Sequence, residues 1–274
     1  MGKQITLLKY FGGKNSNGMG KNILCEFPEK GTYDTYIEPF SGGFSIGLQT
    51  PTDMIAPIEI YNDLYSNVYS VFKVISDKDK FDQFKALCDV AYYSEEMRRE
   101  FKEKLENENL DDIHRAFYYF YVNRTSHNGN GGLSKNIVVR RNMCKSVSDM
   151  LSTIDRLPEL HQRLSHTLVL NRDGIRLMER YSSPNVFMYC DPPYHQSTRT
   201  SVRYDVDMDD SKQIEFLETC LKSEAKLLIS GYDCDIYEEY LVNKGGFKKI
   251  QFDVNTMTGA YKKKTKTETL WKNY

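Results

Sequence analysis

The sequence predicts an α/β fold: a mostly parallel, seven-stranded sheet with helices on both faces, interrupted by an inserted helical domain. Three observations carry that prediction. Residues 36–40, 54–62, 167–171, 186–190, 227–230, 248–254 and 267–271 are short runs rich in aliphatic, β-branched or aromatic residues, with Gly, Pro, Asn or Asp near most of their ends. Between several of them, at 64–75, 174–181, 210–221 and 236–242, apolar residues recur three and four apart, as on one face of a helix. Strand and helix in alternation imply parallel strands joined by crossovers. That rhythm breaks over residues 76–166, which read as an insert.

The first strand, 36–40, leads into a glycine turn, and the second, 54–62, stops at Asn62 and Asp63. The pattern at 64–75 then returns the chain as a helix. Inside the insert, 78–109 is charged with helical spacing, and 115–123 is an aromatic run without strand alternation. Residues 128–132 form a turn rich in Gly and Asn, and the Ile137-Val138-Val139 core of 136–141 reads as one arm of a hairpin. After the insert, strands 167–171, 186–190 and 227–230 alternate with the helices already named. The segment 255–266 is too short for a helical crossover, so the last two strands are expected to pair as an antiparallel hairpin. The layout is one domain built from residues 1–75 and 167–274, with a second, 76–166, spliced into it.

Composition removes several classes. A chain of 274 residues buries a sizeable core without staples. The cysteines at 25, 88, 144, 190, 220 and 234 form no CxxC pair and have no histidines at finger-like distances, so they read as reduced, mostly buried thiols, and no metal is expected. The first residues lack an apolar signal core, and no apolar run reaches the roughly 18 residues of a membrane span, which predicts a cytoplasmic protein with no membrane partner. A net charge of −1 does not advertise nucleic-acid binding. The charge is uneven, however. Lys3, Lys9, Lys14 and Lys21 gather near the start, Arg140 and Arg141 follow the Gly/Asn-rich loop, and Lys262, Lys263, Lys264 and Lys266 come late, so a polyanion could be met locally. Solvated loop charge is the plainer reading of any one cluster. Aromatic residues at 13% suit a protein that stacks on bases, although most are core candidates.

The strongest motif is Asp191-Pro192-Pro193-Tyr194, directly after strand 186–190 and so at the carboxyl end of a sheet strand, where open α/β sheets keep reactive groups. Two prolines fix φ, donate nothing and leave carbonyls free to face a pocket. The result is an acceptor-only wall. Adenine N6 is a poor nucleophile because its lone pair is delocalised into the ring. A carboxylate and a proline carbonyl that accept both of its hydrogens draw the nitrogen towards a pyramidal form able to attack a methyl group. Tyr194 supplies a flat face for an extruded base. The plain alternative is a turn after a strand, since Asp and Pro are common turn residues.

The second motif spans residues 36–47 and contains Glu38, Phe40, Ser41, Gly42 and Gly43, a strand followed by a turn whose glycines let a ligand approach the backbone. Asp63, about twenty residues on, could hold ribose hydroxyls, which also fits a dinucleotide site. Two facts weigh against a dinucleotide. The GxGxxG order is absent, and Glu38 would repel a pyrophosphate but attract an amine. S-adenosyl-L-methionine has an amine and a ribose but no phosphate. The third segment, Lys9 to Lys14, is short, basic, aromatic and glycine-containing, and alone reads as a solvated loop.

Taken together and in this order, the three motifs resemble those of the alpha-type DNA N6-adenine methyltransferases of the DNA adenine methylase family, which carry a KWxGGK-like segment, an EPFxGxG-like loop, a recognition insert and DPPY. Asn62-Asp63-Leu64 and the segment from Asn123-Arg124 to Gly129 are similar to further family segments, so the likeness covers most of the chain. It implies a Rossmann-like methyltransferase sheet with an inserted helical DNA-recognition domain, 76–166, and double-stranded DNA as partner. It also implies S-adenosyl-L-methionine as cofactor, no metal, and a flipped adenine as substrate. Asp191, Pro192, Pro193 and Tyr194 would form the catalytic group. Tyr10, Lys14, Glu38, Phe40, Ser41, Gly42, Gly43, Asp63 and Asp191 would lie at the cofactor. Lys9, Asn123, Arg124, Asn128, Arg140 and Arg141 would meet DNA. The sequence departs from the family at Tyr10, where Trp is commoner, and at Phe44, which often is a glycine. An RNA adenine or a glutamine amide would use the same acceptor wall; a module that binds DNA or cofactor without turnover and a nicotinamide oxidoreductase are the rivals from other classes. The target sequence and oligomeric state are open, with a monomer as the working expectation.

Overall fold

The structure is a computed structural model that describes all residues except 1–5, 11–12, 15–17, 128, 130, 199–206 and 259–261; the side chains of 254–258 and 262–266 also lie outside the description. Lys3, Asn128 and the side chains of Lys262, Lys263, Lys264 and Lys266 therefore fall outside the described residues. The chain begins with helix α1 (Met19–Cys25), then strands β1 (Thr35–Glu38) and β2 (Ile58–Asn62). Helices α2 (Ser66–Ser76), α3 (Lys78–Val90), α4 (Glu95–Asn107) and α5 (Asp112–Thr125) follow, then a short hairpin, β3 (Val139–Arg140) with β4 (Met143–Cys144). After α6 (Lys145–Ile154) and α7 (Leu157–Leu164) come β5 (Thr167–Leu170), α8 (Gly174–Arg180), β6 (Val186–Cys190), α9 (Asp210–Lys222) and β7 (Lys226–Gly231). The last elements are α10 (Asp235–Tyr237), a π-helical segment (Glu238–Lys244), β8 (Lys248–Thr258) and β9 (Lys262–Lys272).

Seven strands form one sheet in the order β5-β2-β1-β6-β7-β9-β8. Parallel pairing links β2 to β1, β1 to β6 and β6 to β7, whereas β9 runs antiparallel to both β7 and β8. The expected mixed α/β, mostly parallel, Rossmann-like sheet is present, and so is the terminal antiparallel hairpin. Its arms are longer than the sequence pattern indicated. Prolines set two boundaries: β1 ends before Pro39, and β2 starts only after Pro57, with a 3-10 turn at Thr52–Met54, because proline has no amide hydrogen for the ladder. The central strand β6 is buried at every position, which is why its sequence is continuously apolar instead of alternating. Its Met188 joins Ile37, Ile60, Phe216, Leu227 and Trp271 in one apolar cluster. The helix expected at 236–242 is instead mostly π-helical. The Gly245 amide reaches back five residues to the Tyr240 carbonyl, closing a wide turn at a glycine pair.

The chain divides into two compact units. One, Lys14–Tyr65 with Leu170–Tyr274, holds most of the sheet. The other comprises Ser66–Val169 and the described residues up to Gly13, and it is helical. Helices α3, α4 and α5 start where short polar side chains satisfy free amides: Asp77 accepts from the Asp79 and Lys80 amides, Ser94 from Met97, and Asp111 from His114. The aromatic run at 115–123 belongs to α5, which packs against α2, α3 and α4, so apolar side chains are needed around much of its circumference. Phe120 meets Phe84 edge to face at 5.5 Å, and Tyr118 stacks on Phe101 at 4.3 Å. In the short hairpin, Arg141 and Asn142 have φ of 53° and 56°, the mirror-type turn that matches strand twist. Ile137, Val138 and Val139 are exposed there, and only Val139 is in the strand. Of the cysteines, 88, 190 and 220 are buried, 144 and 234 are intermediate and Cys25 is exposed, so the thiols are less buried than expected. No described helix is long and apolar enough to cross a membrane.

Candidate active site

Strand β6 stops at Cys190, paired with Ile229 of β7, because Pro192 and Pro193 have no amide hydrogen to continue the ladder. Asp191 is thereby released from the sheet at the carboxyl end of a central strand. Lys14 Nζ holds its carboxylate, donating to Oδ1 at 2.9 Å and to Oδ2 at 2.8 Å. The same ammonium donates to the Tyr194 hydroxyl at 2.7 Å and lies 3.4 Å from Glu268 Oε1. Tyr194 in turn donates its hydroxyl hydrogen to Glu268 Oε1, which also accepts from Ser230 Oγ at 3.4 Å. Burial pushes the Asp191 carboxyl upward, and the adjoining Lys14 ammonium opposes it. The Tyr194 phenol, buried and facing Asp191 and Glu268, is raised well above its usual range and so stays a donor. Its ring meets Tyr232 edge to face at 4.8 Å.

The prolines are braced from α9. The Pro193 carbonyl accepts from Gln213 Nε2 at 2.7 Å, and Gln213 Oε1 accepts from the Tyr237 hydroxyl at 2.9 Å. Among the described residues the Pro192 carbonyl has no such partner.

The glycine turn is tied to the end of β2. Ser41 donates its hydroxyl to the Glu38 carbonyl at 2.7 Å, and Ser41 Oγ accepts from the Asn62 amide at 3.0 Å. Asp63 Oδ2 accepts from the Gly42 amide and Oδ1 from the Tyr65 amide, both at 2.8 Å. Gly43 continues the turn, and Phe40 lies with its ring edge to face on Phe216 at 5.7 Å. Gly42 and Phe44 are left-handed, with φ of 47° and 51°. Glycine takes that conformation freely and phenylalanine does not. Packing holds Phe44 there: its buried ring meets Tyr61 at 5.5 Å and occupies the space beside Gly47, where a Cβ would come within 2.2 Å of the ring. The departure at Phe44 thus depends on a glycine three residues later.

Glu38 is 3% exposed; its Oε1 accepts from the Tyr36 hydroxyl and the Gly47 amide, both at 2.7 Å. Burial pushes its carboxyl up to about 8, with those two hydrogen bonds pulling the other way. Among the described residues it has no ion-pair partner. Asp191 and Glu268 share one ammonium, and Glu38 has none. A small ligand that carries positive charge and hydroxyls suits this donor set, and a pyrophosphate does not. Among the described residues, no group of three or more His, Cys, Asp or Glu is placed to hold a metal ion.

Glu268 and Gln213 were not singled out by sequence, yet each left a signal. Gln213 interrupts the apolar stripe of α9 that Phe216, Leu217 and Cys220 continue. Glu268 lies two residues from buried Leu270, on the same face of β9.

The remaining candidates belong to the helical unit. Tyr10 accepts the Gly13 amide on its carbonyl at 3.2 Å. Lys9 and Asn123 hold each other: the Lys9 amide donates to Asn123 Oδ1, and Asn123 Nδ2 donates to the Lys9 carbonyl, both at 2.8 Å. The Lys9 ammonium donates to the Arg124 and Ser126 carbonyls at the end of α5, at 2.7 and 2.8 Å. Burial, helped by the nearby Arg124, lowers its pKa to about 8. Arg124 is buried and donates to the Asp149 carbonyl at 3.3 Å, while its Nε has no partner among the described residues. Arg140 pairs with Asp149, and the more exposed Arg141 donates to Ser152 Oγ at 3.0 Å. Asn128 lies outside the described residues.

Comparison with known proteins bears on this geometry. The family model of the D12 class N6 adenine-specific DNA methyltransferases matches residues 10–268. The Type II methyltransferase M.MjaIII of Methanocaldococcus jannaschii is 26% identical over 269 residues, covering 89% of this chain and 91% of that protein. A DNA adenine methylase of Serratia marcescens is 24% identical over 256 residues, covering 88% of each.

Proposed function

Because the chain belongs to the D12 class of N6 adenine-specific DNA methyltransferases, we propose that it transfers the methyl group of S-adenosyl-L-methionine to N6 of an adenine flipped out of double-stranded DNA. When bound, that cofactor supplies a methyl group on a sulfonium, open to attack by a nitrogen lone pair. The residues that would hold it are Glu38, Phe40, Ser41, Gly42, Gly43 and Asp63, with Tyr10, Lys14 and Asp191. In this reading Glu38 and Asp63 take its amine and its hydroxyls. Asp191 and the Pro192 carbonyl accept the two N6 hydrogens, and Tyr194 contributes its ring to the base.

One observation carries the proposal: the Asp191 carboxylate is fixed by Lys14 at the carboxyl end of β6, next to a Pro192 carbonyl without a partner among the described residues. A carboxyl pushed upward by burial also suits the proton that a methylated amino nitrogen sheds. The acceptors are built in before substrate arrives, so little reorganisation is needed at the reacting nitrogen. The test is Asp191→Ala assayed with tritiated cofactor and adenine-containing duplex. Methyl transfer is expected to vanish while cofactor binding stays measurable; normal turnover would overturn the assignment.

Residues 76–166 are proposed as the DNA-recognition domain; Lys9, outside that range, and Asn123, Arg124, Asn128, Arg140 and Arg141 within it are proposed to serve DNA binding, by direct contact or by shaping the contacting loop. The partial exposure of Arg140 and Arg141 supports a direct role for that pair. Lys9, Asn123 and Arg124 are engaged internally, which favours a role in shaping the loop that follows α5.

A further inference from the structure

We propose that Glu268 is a positioning residue for methyl transfer: it accepts the Tyr194 hydroxyl and stands beside the Lys14 ammonium, so that neither saturates the Asp191 carboxylate. The inference rests on the reading of Asp191 as the group that accepts the N6 hydrogens. It assigns a role to β9, which contains none of the recognised motifs.

Hydrogen-bond direction makes the first argument. Lys14 has three N–H donors, and its close acceptors include Asp191 Oδ1 and Oδ2 and the Tyr194 oxygen, at 2.7–2.9 Å. Tyr194 has a single hydrogen, and Glu268 takes it. Asp191 is the competing acceptor, since its carboxyl is within hydrogen-bonding influence of the Tyr194 hydroxyl. Without Glu268, the phenol hydrogen can turn to Asp191, the other carboxylate at the same Lys14 ammonium, and would fill a lone pair that the incoming amino group needs. Glu268 therefore sets the direction of the chain from Lys14 through Tyr194.

Charge makes the second argument. Lys14 alone would cancel the charge of Asp191 and weaken it as an acceptor. With Glu268 3.4 Å from the same ammonium, the three groups carry a net negative charge, and Asp191 keeps more of its accepting power. Geometry makes the third. Glu268 is 8% exposed, and its strand is paired on both sides, opposite β7 and, at Phe252, opposite β8. A buried carboxylate is costly unless its bonds compensate, and a strand held from two sides lets it shift little.

The experiment compares full-length wild type with Glu268→Gln, Glu268→Leu and Glu268→Leu/Tyr194→Phe in steady-state methylation of duplex adenine, with thermal unfolding as the check of folding. Glu268→Leu is expected to lose roughly 100-fold in kcat with both KM values little changed, the scale of one preorganised hydrogen bond at a reacting centre. Adding Tyr194→Phe should recover part of that loss, because the misdirected hydrogen is gone. Glu268→Gln still accepts from Tyr194 but leaves Lys14 wholly to Asp191, so the acid limb of its kcat profile should move to lower pH. Should Glu268→Leu not fold, the Gln variant decides alone. A wild-type kcat in Glu268→Leu, a double variant slower than the single one, or an unmoved acid limb in Glu268→Gln would each overturn the proposal. Full activity of Asp191→Ala would instead remove the reading beneath it.

Discussion

Phe44 is left-handed and buried, and its ring fills the space beside Gly47. Replacing glycine by alanine in a helical turn ordinarily stabilises or is neutral, but here the new Cβ meets a ring. Gly47→Ala is expected to cost about 1–3 kcal/mol, as overpacking does, read as a lower denaturation midpoint. In a Phe44→Leu background the same change should cost less. Glu38 allows a prediction in pH. Its carboxyl sits at about 8 when folded and 4.5 otherwise, so between those values the folded protein keeps a proton that the unfolded chain releases. Its contribution to stability is full below pH 4.5 and is lost as pH rises through about 8. Glu38→Gln, which mimics the protonated acid, should flatten that part of the stability profile; a profile identical to wild type would show that Glu38 is not the titrating group. At this scale the sequence was informative where chemistry is contiguous. Asp191 to Tyr194 could be read as a tetrapeptide, but the pairing of Lys14 with Asp191 spans 177 positions and has no local trace.

Strands were legible where turn residues punctuate apolar runs, as around β6, but the expected 36–40 and 54–62 ran through Pro39 and Pro57, where proline keeps β1 to Thr35–Glu38 and β2 to Ile58–Asn62. Boundaries failed where pairing partners, not local residues, set the length: β8 and β9 each run 11 residues because each supplies the other's hydrogen bonds. Helix α5 shows the reverse case, an aromatic run whose helical state follows from the helices packed around it. The brace from α9 to the prolines could not be foreseen from either element alone. Gln213→Leu keeps the apolar stripe but strands the Pro193 carbonyl and the Tyr237 hydroxyl. A loss of about 1–3 kcal/mol in stability is expected, together with a lower kcat, if the brace positions Pro192 and Asp191. An unchanged kcat in a destabilised protein would confine Gln213 to a packing role.

With a net charge of −1, the whole molecule offers DNA no general attraction, so affinity must come from local cationic contacts. If Arg141 meets a phosphate, Arg141→Ala should reduce the slope of log K against log salt by about 0.9, measured by titration of duplex DNA across ionic strengths. A slope equal to wild type would remove Arg141 from the contact set. The sheet order has a separate consequence during synthesis. β9 lies between β7 and β8 although both precede it in the chain. A polypeptide leaving the ribosome thus completes two strands before the one that belongs between them exists, and β7 meanwhile shows a bare row of amides and carbonyls to other chains. Exposure to mispairing lasts until residues 262–272 have emerged.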